Sequence, residues 1–281
     1  AVCEKEKPDW VAVVGDVNST MACAIVCAKM GIRVAHIEAG LRSYDRTMPE
    51  EINRIVTDAL ADLLLTPSED ADEHLRQEGV SPEKIKLVGN IMIDSLVANL
   101  PKARSSGIMS RLDVAPGRFV YVTLHRPSNV DGRESLSKIM AGLERLSSRL
   151  PVVFPIHPRT RKRLADFDMK PDPSDRLLLL EPIGYHESLC LAESARLVLT
   201  DSGGLQEETT YFRTPCLTLR ATTERPVTVT MGSNRMTTLG SLFEDIELVL
   251  QGPERAGQVP PLWDGRTAER ILDQLIANST K

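Results

Sequence analysis

The stretch that decides the fold class is an apolar run, FVYVTLH at residues 119–125, followed by a helical pattern at 134–150 and a further apolar run, PVVFPIH at 151–157. Runs that are apolar along their whole length are typical of strands in a parallel sheet that helices cover on both faces. A helical pattern between two such runs is the crossover that parallel pairing requires. The stretch therefore predicts an α/β unit with a parallel sheet.

The same alternation fills the chain on both sides of residues 101–118, a mixed stretch with Pro, Gly and Ser that is the best linker candidate. We therefore expect two Rossmann-like domains with parallel sheets, one at 1–100 and one at 118–265, followed by a C-terminal helix at 266–281. Ligands of doubly wound folds bind at the carboxyl ends of the strands, so the candidate site residues are sought there.

Composition excludes several function classes. The chain has 281 residues, of which 42% are hydrophobic, 26% are charged and 4% are aromatic, and its formal net charge is −5. A mildly acidic chain with few aromatic side chains is a poor candidate for binding nucleic acid. No apolar run approaches the ~18–20 residues that span a bilayer, so no membrane partner is expected. The five cysteines are scattered and form no CxxC motif, which favours a reduced, cytoplasmic setting.

Three carboxylates of the first domain are candidates for acid–base chemistry. Asp16 follows the first strand pattern, Glu38 ends the second, and Glu50 follows the proline that starts a helical pattern. Carboxylates brought together in different surroundings can differ enough in pKa to serve as acid and base.

Each of these carboxylates also has a plain structural interpretation. Asp16 would cap a helix, and Glu50 would be a charge at a helix start, which its spacing alone favours. Glu38 would be the ribose-binding acid of a dinucleotide fold. That fold needs a GxGxxG motif after the first strand, and the sequence there is GDVNST, so a nicotinamide cofactor is not expected.

The second domain presents a glycine-containing turn and two histidines at its strand ends. Residues 201–204 (DSGG) open a helix, where backbone N–H groups suit a phosphate, although Ser202 as an ordinary N-cap is an equally good interpretation. His125 and His157 each end an apolar strand with an arginine nearby, which favours contact with an anion. No third ligand has suitable spacing, so no metal site is expected.

Seven short motifs occur together in the order found in the non-hydrolysing UDP-N-acetylglucosamine 2-epimerase family, which the chain resembles from about residue 9 to residue 234. The motifs are GDVNST, HIEAGLRS, MPEEINR, LHRPSNVD, PIHPRTR, LTDSGGLQEET and TTERP. The resemblance implies a glycosyltransferase-B-like architecture of two Rossmann-like domains. It also implies that UDP leaves UDP-N-acetylglucosamine to give a glycal and adds back to give UDP-N-acetylmannosamine, with no cofactor and no metal.

The resemblance also implies roles for individual residues. Asp16, Glu38 and Glu50 match the family's catalytic carboxylates, and His125 matches a histidine near the diphosphate. Ser202, Gly203 and Gly204 match the phosphate cradle, and Glu208 matches the acid that holds the uridine ribose. Arg225 is a further implied substrate-binding residue on the same side of the site. His157 matches a position that some bacterial members use in a regulatory site. Two positions depart from the family pattern, because RPSN follows the first histidine in place of RREN and Val227 stands where many members have Glu.

Three other functions stay open on the sequence. A hydrolysing relative would release UDP and N-acetylmannosamine, a glycosyltransferase would use an acceptor, and a UDP-sugar-binding protein would bind without turnover. We also expect a cytoplasmic homodimer that serves polysaccharide biosynthesis. Family members carry a segment before the position of Ala1 that supplies a first strand. We therefore expect the first domain to be incomplete and the chain to be less stable or less active than an extended version.

Overall fold

The computed structural model describes residues 2–169 and 176–279, which form two compact units. The first unit comprises the residues up to Val97, residues 222–227 and the residues from Pro260 onward. The second unit comprises residues 98–221 and 228–259. Each unit is built on a parallel β-sheet packed against helices, so the predicted α/β class with two Rossmann-like domains is confirmed.

The first unit alternates strands and helices along the chain. Its elements are α1 (Val2–Glu6), β1 (Trp10–Val14), α2 (Asn18–Lys29), β2 (Arg33–Ile37), α3 (Pro49–Leu60), β3 (Leu63–Thr66), α4 (Glu69–Gln77), a 3₁₀ turn (Pro82–Lys84), β4 (Ile85–Leu87) and α5 (Ile91–Arg104), which runs on into the second unit. The strands lie side by side in the order β1-β2-β3-β4, and all neighbours are parallel. Their carboxyl ends therefore meet at one edge of the sheet.

The second unit continues the same alternation. Its elements are α6 (Ile108–Arg111), β5 (Val120–Thr123), α7 (Pro127–Val130), α8 (Arg133–Ser147), β6 (Val152–Pro155), α9 (Pro158–Asp166), β7 (Leu177–Leu180), α10 (Tyr185–Ser194), β8 (Leu197–Thr200), α11 (Gly203–Phe212), β9 (Cys216–Leu219), α12 (Val227–Thr230), β10 (Asn234–Thr237) and α13 (Leu242–Gln251). The parallel strands lie in the order β10-β9-β8-β5-β6-β7. The order reverses between β5 and β8, and in such sheets ligands bind beside the carboxyl ends of those two strands.

The C-terminal helix α14 (Thr267–Ser279) packs on the sheet of the first unit. Successive leucines of β3 point to opposite faces of that sheet. Leu63 and Leu65 join Ile271 of α14 in one core cluster, whereas Leu64 joins Leu75 of α4 in another. Both faces of β3 are therefore buried, which is why its sequence is apolar at every position rather than at alternate positions.

Two elements differ from the sequence-based expectation. The predicted linker begins inside a helix, because α5 continues to Arg104 with Pro101 in its interior, and α6 follows it. Pro101 cannot donate a helical hydrogen bond from its own nitrogen, but its carbonyl accepts from the Ser105 N–H at 3.2 Å. The sixth strand, β10, was not predicted, because its sequence NRMT lacks an apolar run and it pairs along one edge with β9.

Residues 2–169 and 176–279 make up the described part of the chain. No helix there is both long and apolar enough to cross a bilayer. In the same residues, no group of three or more His, Cys, Asp or Glu side chains is arranged to hold a metal ion.

Candidate active site

The predicted carboxylates Asp16 and Glu38 lie on neighbouring loops at the carboxyl edge of the first sheet. In the parallel pair of β1 and β2, Val14 lies opposite Ile37, and the Gly15 N–H donates to the Ile37 carbonyl at 3.0 Å. A Cβ atom added at Gly15 would lie 3.4 Å from Oε2 of Glu38. The Glu38 carboxylate therefore packs beside the backbone that leads into Asp16.

The backbone of Glu38 is left-handed, with a φ of 67°. This conformation costs a residue with a Cβ atom about 1–2 kcal/mol, and it persists only where the surrounding contacts enforce it. Strained residues of this kind concentrate at functional sites. The strain at Glu38 is therefore an independent observation in favour of its candidate role.

A buried arginine on α3 sets the direction of the Asp16 side chain. Arg54 is 1% exposed, and its guanidinium pairs with the carboxylate of Asp16 through Nη1 and with that of Glu51 through Nη2 at 2.7 Å. Asn53 donates from its side chain to the Asp16 carbonyl at 2.8 Å. The Asp16 carboxylate stays partly exposed while its position is fixed from the buried side.

The two glutamates that follow Pro49 lie in different surroundings. Glu50, the predicted catalytic carboxylate, is exposed on the first turn of α3, whereas Glu51 is buried. Glu51 accepts hydrogen bonds from the Ser43 N–H and hydroxyl at 3.0 Å each, and from the Tyr44 N–H at 2.9 Å. Burial works against its ionisation, but these bonds and Arg54 lower the pKa of Glu51. Glu51 thus anchors the loop after β2, a role that the sequence analysis missed.

The buried face of α3 is polar, which is unusual for a helix that packs on a sheet. Its buried residues are Glu51, Asn53, Arg54, Thr57 and Asp58. One signal could have found them: polar residues recur at 51, 54 and 58, the spacing that places side chains on one helical face. Because these side chains are shielded from water, they need the partners that the loops at the strand ends supply.

In the second unit, a buried carboxylate orients the predicted histidine. Asp201 follows β8 and is fully buried, and its oxygens accept from the backbone N–H groups of His125 (3.0 Å) and Arg126 (2.8 Å) and from the Asn129 amide (3.0 Å). Nδ1 of His125 lies 2.9 Å from Asp201. Burial opposes ionisation, but the bonds from His125, Asn129 and Arg126 lower the pKa of Asp201. This orienting role of Asp201 was not predicted.

His125 and His157 lie side by side at the ends of β5 and β6. Their ring centroids are 5.2 Å apart. Nδ1 of His157 accepts from the Arg159 N–H at 3.1 Å and so caps α9. Burial and then the positive field of His125 lower the pKa of His157. The structure therefore brings together the two histidines that the strand ends predicted.

The start of α11 presents backbone to open space. Ser202 occupies the N-cap position, but within the described chain its hydroxyl makes no capping hydrogen bond. A Cβ atom added at Gly204 would meet no described atom within 4 Å. Gly203 is the first residue of the helix, so its end carries N–H groups without intrahelical partners and a partial positive charge. This geometry favours the phosphate interpretation of residues 202–204 over the capping one.

The remaining predicted residues are Glu208 and Arg225. Glu208 lies on α11, partly buried, and hydrogen-bonds Tyr185 at the start of α10. Burial and the neighbouring Glu207 raise the pKa of Glu208 to about 7. Arg225 belongs to residues 222–227 of the first unit, where its guanidinium pairs with the carboxylate of Glu224.

The sequence model of one family, described as UDP-N-acetylglucosamine 2-epimerase, matches residues 1–276 of this chain. The chain is 41% identical over 277 residues to UDP-N-acetylglucosamine 2-epimerase of Methanocaldococcus jannaschii, an alignment that spans 95% of this chain and 75% of the relative. It is also 41% identical over 233 residues to UDP-2,3-diacetamido-2,3-dideoxy-D-glucuronate 2-epimerase of Pseudomonas aeruginosa, covering 82% of this chain and 64% of the relative.

Solved structures of UDP-GlcNAc 2-epimerases also match this chain. The crystal structure of the M. jannaschii UDP-GlcNAc 2-epimerase in complex with UDP-GlcNAc and UDP matches with a TM-score of 0.86 and 40% identity, over 98% of this chain and 78% of that one. The UDP-GlcNAc 2-epimerase of Neisseria meningitidis bound to UDP-GlcNAc matches with a TM-score of 0.85 and 30% identity, over 98% and 78% of the two chains. The expected glycosyltransferase-B-like fold class is confirmed by these matches.

Proposed function

The chain belongs to the UDP-N-acetylglucosamine 2-epimerase family, and from this membership we propose that it interconverts UDP-N-acetylglucosamine and UDP-N-acetylmannosamine. The observation that carries the proposal is the pair of carboxylates, Asp16 and Glu38, on adjacent strand-end loops of the first unit. The reaction needs groups that take and return a proton at one carbon of the sugar, and carboxylates in unlike surroundings can do both.

The proposed reaction has two halves. In the first, a carboxylate takes the proton from C2 of the sugar, the electron pair of the C2–H bond forms a C1=C2 double bond, and the bond between C1 and UDP breaks. In the second, UDP adds back at C1 while a carboxylic acid delivers a proton to the other face of C2. Asp16, Glu38 and Glu50 are the proposed acid–base residues of the two halves. The net change is inversion at C2.

UDP is the leaving group of the first half and the nucleophile of the second, so its negative charge must be held throughout. His125, oriented by Asp201, is proposed to face the diphosphate, with His157 beside it. The N-terminal end of α11 with Ser202, Gly203 and Gly204 is proposed as the phosphate cradle. Glu208 would accept the ribose hydroxyls, and Arg225 is a further proposed substrate-binding residue.

An exchange experiment tests this proposal. The chain is incubated with UDP-N-acetylglucosamine in D₂O, and the products are followed by NMR. We expect UDP-N-acetylmannosamine with deuterium at C2. Free N-acetylmannosamine without the UDP-linked product would instead identify a hydrolysing enzyme, and binding without exchange would identify a UDP-sugar-binding protein.

Two variants assign the chemistry to the carboxylates. Glu38→Gln keeps the shape of the side chain but cannot transfer a proton, so exchange at C2 should be lost. Glu134→Gln, which changes an exposed glutamate on α8, is the matched control and should exchange at the wild-type rate. Full activity of Glu38→Gln would refute the catalytic assignment.

A second substrate candidate rests on the comparison with P. aeruginosa. The chain is 41% identical both to the M. jannaschii UDP-N-acetylglucosamine 2-epimerase and to the P. aeruginosa 2-epimerase for UDP-2,3-diacetamido-2,3-dideoxy-D-glucuronate. The second sugar nucleotide should therefore be tested as a substrate alongside UDP-N-acetylglucosamine. The two substrates differ at C3 and C6 and share the C2 chemistry. The ratio of their kcat/KM values would decide which one the site fits.

We also propose that the chain acts as a cytoplasmic homodimer in polysaccharide biosynthesis and has no nucleic-acid partner. The net charge of −5 supports the last point. Sedimentation velocity over a range of protein concentrations tests the dimer. A single species near the 31.0 kDa of one chain would contradict it.

A further inference from the structure

A fully buried histidine, His36 of β2, lies behind the two acidic loops of the first sheet. Both of its ring nitrogens make short contacts with oxygen atoms. Nε2 lies 2.9 Å from the Gly15 carbonyl, and Nδ1 lies 2.6 Å from Oδ1 of Asp58 on α3. A carbonyl oxygen can only accept, so Nε2 carries a hydrogen and donates it to Gly15.

Asp58 has two further partners besides His36. Oδ2 of Asp58 lies 2.7 Å from the Arg42 guanidinium and accepts from the Gly40 N–H at 3.2 Å. Burial opposes its ionisation, but His36 and Arg42 together lower the pKa of Asp58. The His36 ring therefore links the Asp58 carboxylate to the Gly15 carbonyl.

Two buried arginines supply positive charge near this pair. Arg42, besides its contact with Asp58, donates to both carboxylate oxygens of Glu78 at 2.7 Å each. Arg54 of the same α3 face pairs with Asp16 and Glu51. Asp58 is thus one of several buried polar residues of α3 that bond to the ends of β1 and β2 or to the loops that follow them.

Asp58 is linked by hydrogen bonds to both candidate catalytic loops. Through His36 it holds the carbonyl of Gly15, the residue before Asp16. Through its own Oδ2 it holds the N–H of Gly40, two residues after Glu38. The second loop packs closely against α4 at this point, because Gly40 has a φ of 79° and a Cβ atom added there would lie 2.4 Å from the backbone oxygen of Ala71.

We propose that Asp58 is a positioning residue for the epimerisation: acting through the His36 ring and the Gly40 N–H, it sets the placement of Asp16 relative to Glu38. The assignment rests on the proposed function, because it supposes that these two carboxylates transfer protons. Acid–base catalysis depends on placement within a fraction of an ångström. A bond network that reaches both loops from one carboxylate sets this placement without touching the substrate.

The first test is Asp58→Asn, which preserves shape but replaces one carboxylate oxygen with an NH₂ group that cannot accept a hydrogen bond. We expect kcat to fall by about 100-fold, the typical cost of misplacing catalytic groups by about 1 Å. We expect KM and UDP affinity to change by less than about twofold, because the proposed UDP contacts of α11 lie in the other unit. A wild-type kcat in this variant would overturn the positioning role.

Asp62→Asn is the matched control. Asp62 lies just after α3 and also bonds β2, since its carboxylate accepts from the Val34 N–H at 2.9 Å. That contact lies near the amino end of β2, away from the loops of the carboxyl edge. The same chemical change there should leave kcat within about twofold of wild type. An equal loss of kcat in both variants would indicate a general loss of structure and would overturn the assignment.

The second test is spectroscopic and uses the folded wild-type protein, so it does not depend on the folding of a variant. ¹⁵N-labelled histidine side chains are recorded by NMR, and His36 is assigned from the signals that His36→Gln lacks. We expect Nε2 of His36 to carry a hydrogen, because it faces the Gly15 carbonyl at 2.9 Å and a carbonyl oxygen can only accept. A ring whose Nε2 carries no hydrogen would overturn the proposal.

The outcomes separate this inference from the proposed function. If the wild-type chain shows no deuterium exchange at C2, the proposed function fails and the positioning role fails with it. If the wild-type chain exchanges normally but Asp58→Asn matches it, only the positioning role fails. Exchange in the wild type, loss of kcat in Asp58→Asn and a hydrogen on Nε2 of His36 would together establish both.

Discussion

Nδ1 of His125 lies 2.9 Å from Oδ1 of Asp201, a carboxylate with no exposed surface. The same carboxylate accepts backbone N–H groups from His125 and Arg126, so it fixes both the ring and the chain that carries it. The pair lies where the strand order of the second sheet reverses, between β5 and β8. One buried acid therefore couples the orientation of a candidate diphosphate-binding histidine to the stability of the strand ends.

Replacing this acid should cost both stability and activity. Asp201→Asn turns an acceptor-only group into one that presents N–H toward N–H donors. We expect a loss of about 1–3 kcal/mol in the free energy of unfolding at pH 7, measured in urea. The folded-state pKa of Asp201 lies below its ordinary value. The stabilising contribution of the ionised carboxylate is therefore present above the unfolded-state pKa and is lost as pH falls through the folded-state pKa.

The deficit of Asp201→Asn should therefore shrink as the solution is acidified. Asp131→Asn is its control, since that aspartate accepts from Arg159 and Arg163 at the surface and should matter much less. A constant deficit from pH 7 to pH 3 would contradict the ionised state of Asp201.

Substitution of each glutamate after Pro49 should affect a different property, turnover for Glu50 and thermal stability for Glu51. Glu50 is exposed, so Glu50→Gln should leave the melting temperature unchanged and, if Glu50 transfers a proton, lower kcat by about 100-fold or more. Glu51 accepts three hydrogen bonds from residues 43 and 44, so Glu51→Gln should lower the melting temperature. Wild-type turnover in Glu50→Gln would remove Glu50 from the catalytic set.

Glu208 should make the protein less stable as pH rises from about 5 to 8. Burial and Glu207 raise its pKa from an ordinary value of 4.5 to about 7. Because the pKa of Glu208 is higher in the folded state than in the unfolded state, its contribution to stability is fully present below the unfolded-state pKa. That contribution is lost as pH rises through the folded-state pKa. Glu208→Gln resembles the protonated form, so it should unfold at a higher temperature than wild type at pH 8 and at a similar temperature at pH 5.

Glu254→Gln is the matched control for this pH dependence, because that glutamate of the second unit is exposed. Its melting temperature should follow the wild-type value at both pH values. A Glu208→Gln variant that also follows wild type at pH 8 would contradict the raised pKa of Glu208.

Gly204→Ala should test the proposed phosphate cradle without disturbing the fold. An added Cβ atom there meets no described atom within 4 Å, and alanine is a better helix former than glycine, so the melting temperature should not fall. If the diphosphate lies on the start of α11, the extra methyl group should weaken UDP binding by about tenfold or more, measured by calorimetry.

Gly252→Ala provides the comparison for UDP binding. The added Cβ atom would lie 3.4 Å from the Val249 carbonyl, an ordinary contact at the end of α13. UDP affinity should be unchanged in this variant. Equal UDP affinities in Gly204→Ala and wild type would place the diphosphate elsewhere.

Much of the fold could be predicted because burial leaves its pattern in the sequence. The leucines of β3 and the apolar run that contains β5 are buried on both sides, so their composition predicts a covered parallel sheet. β10 was missed because an edge strand needs no continuous apolar run. The extension of α5 through Pro101 was missed because proline usually ends a helix, and here its carbonyl still accepts the next helical bond.

The sequence by itself determined the α/β class, the family resemblance and which side chains follow the strands, because strand ends can be located from apolar runs and ligands bind at those ends. Only the tertiary structure decided which side chains hold those groups in place. The bonds of Asp58 to His36 and Gly40, and of Asp201 to His125, join residues that are distant in the chain. Such contacts follow from the packing of helices and loops against a sheet edge, and no local periodicity encodes which buried donor meets which acceptor.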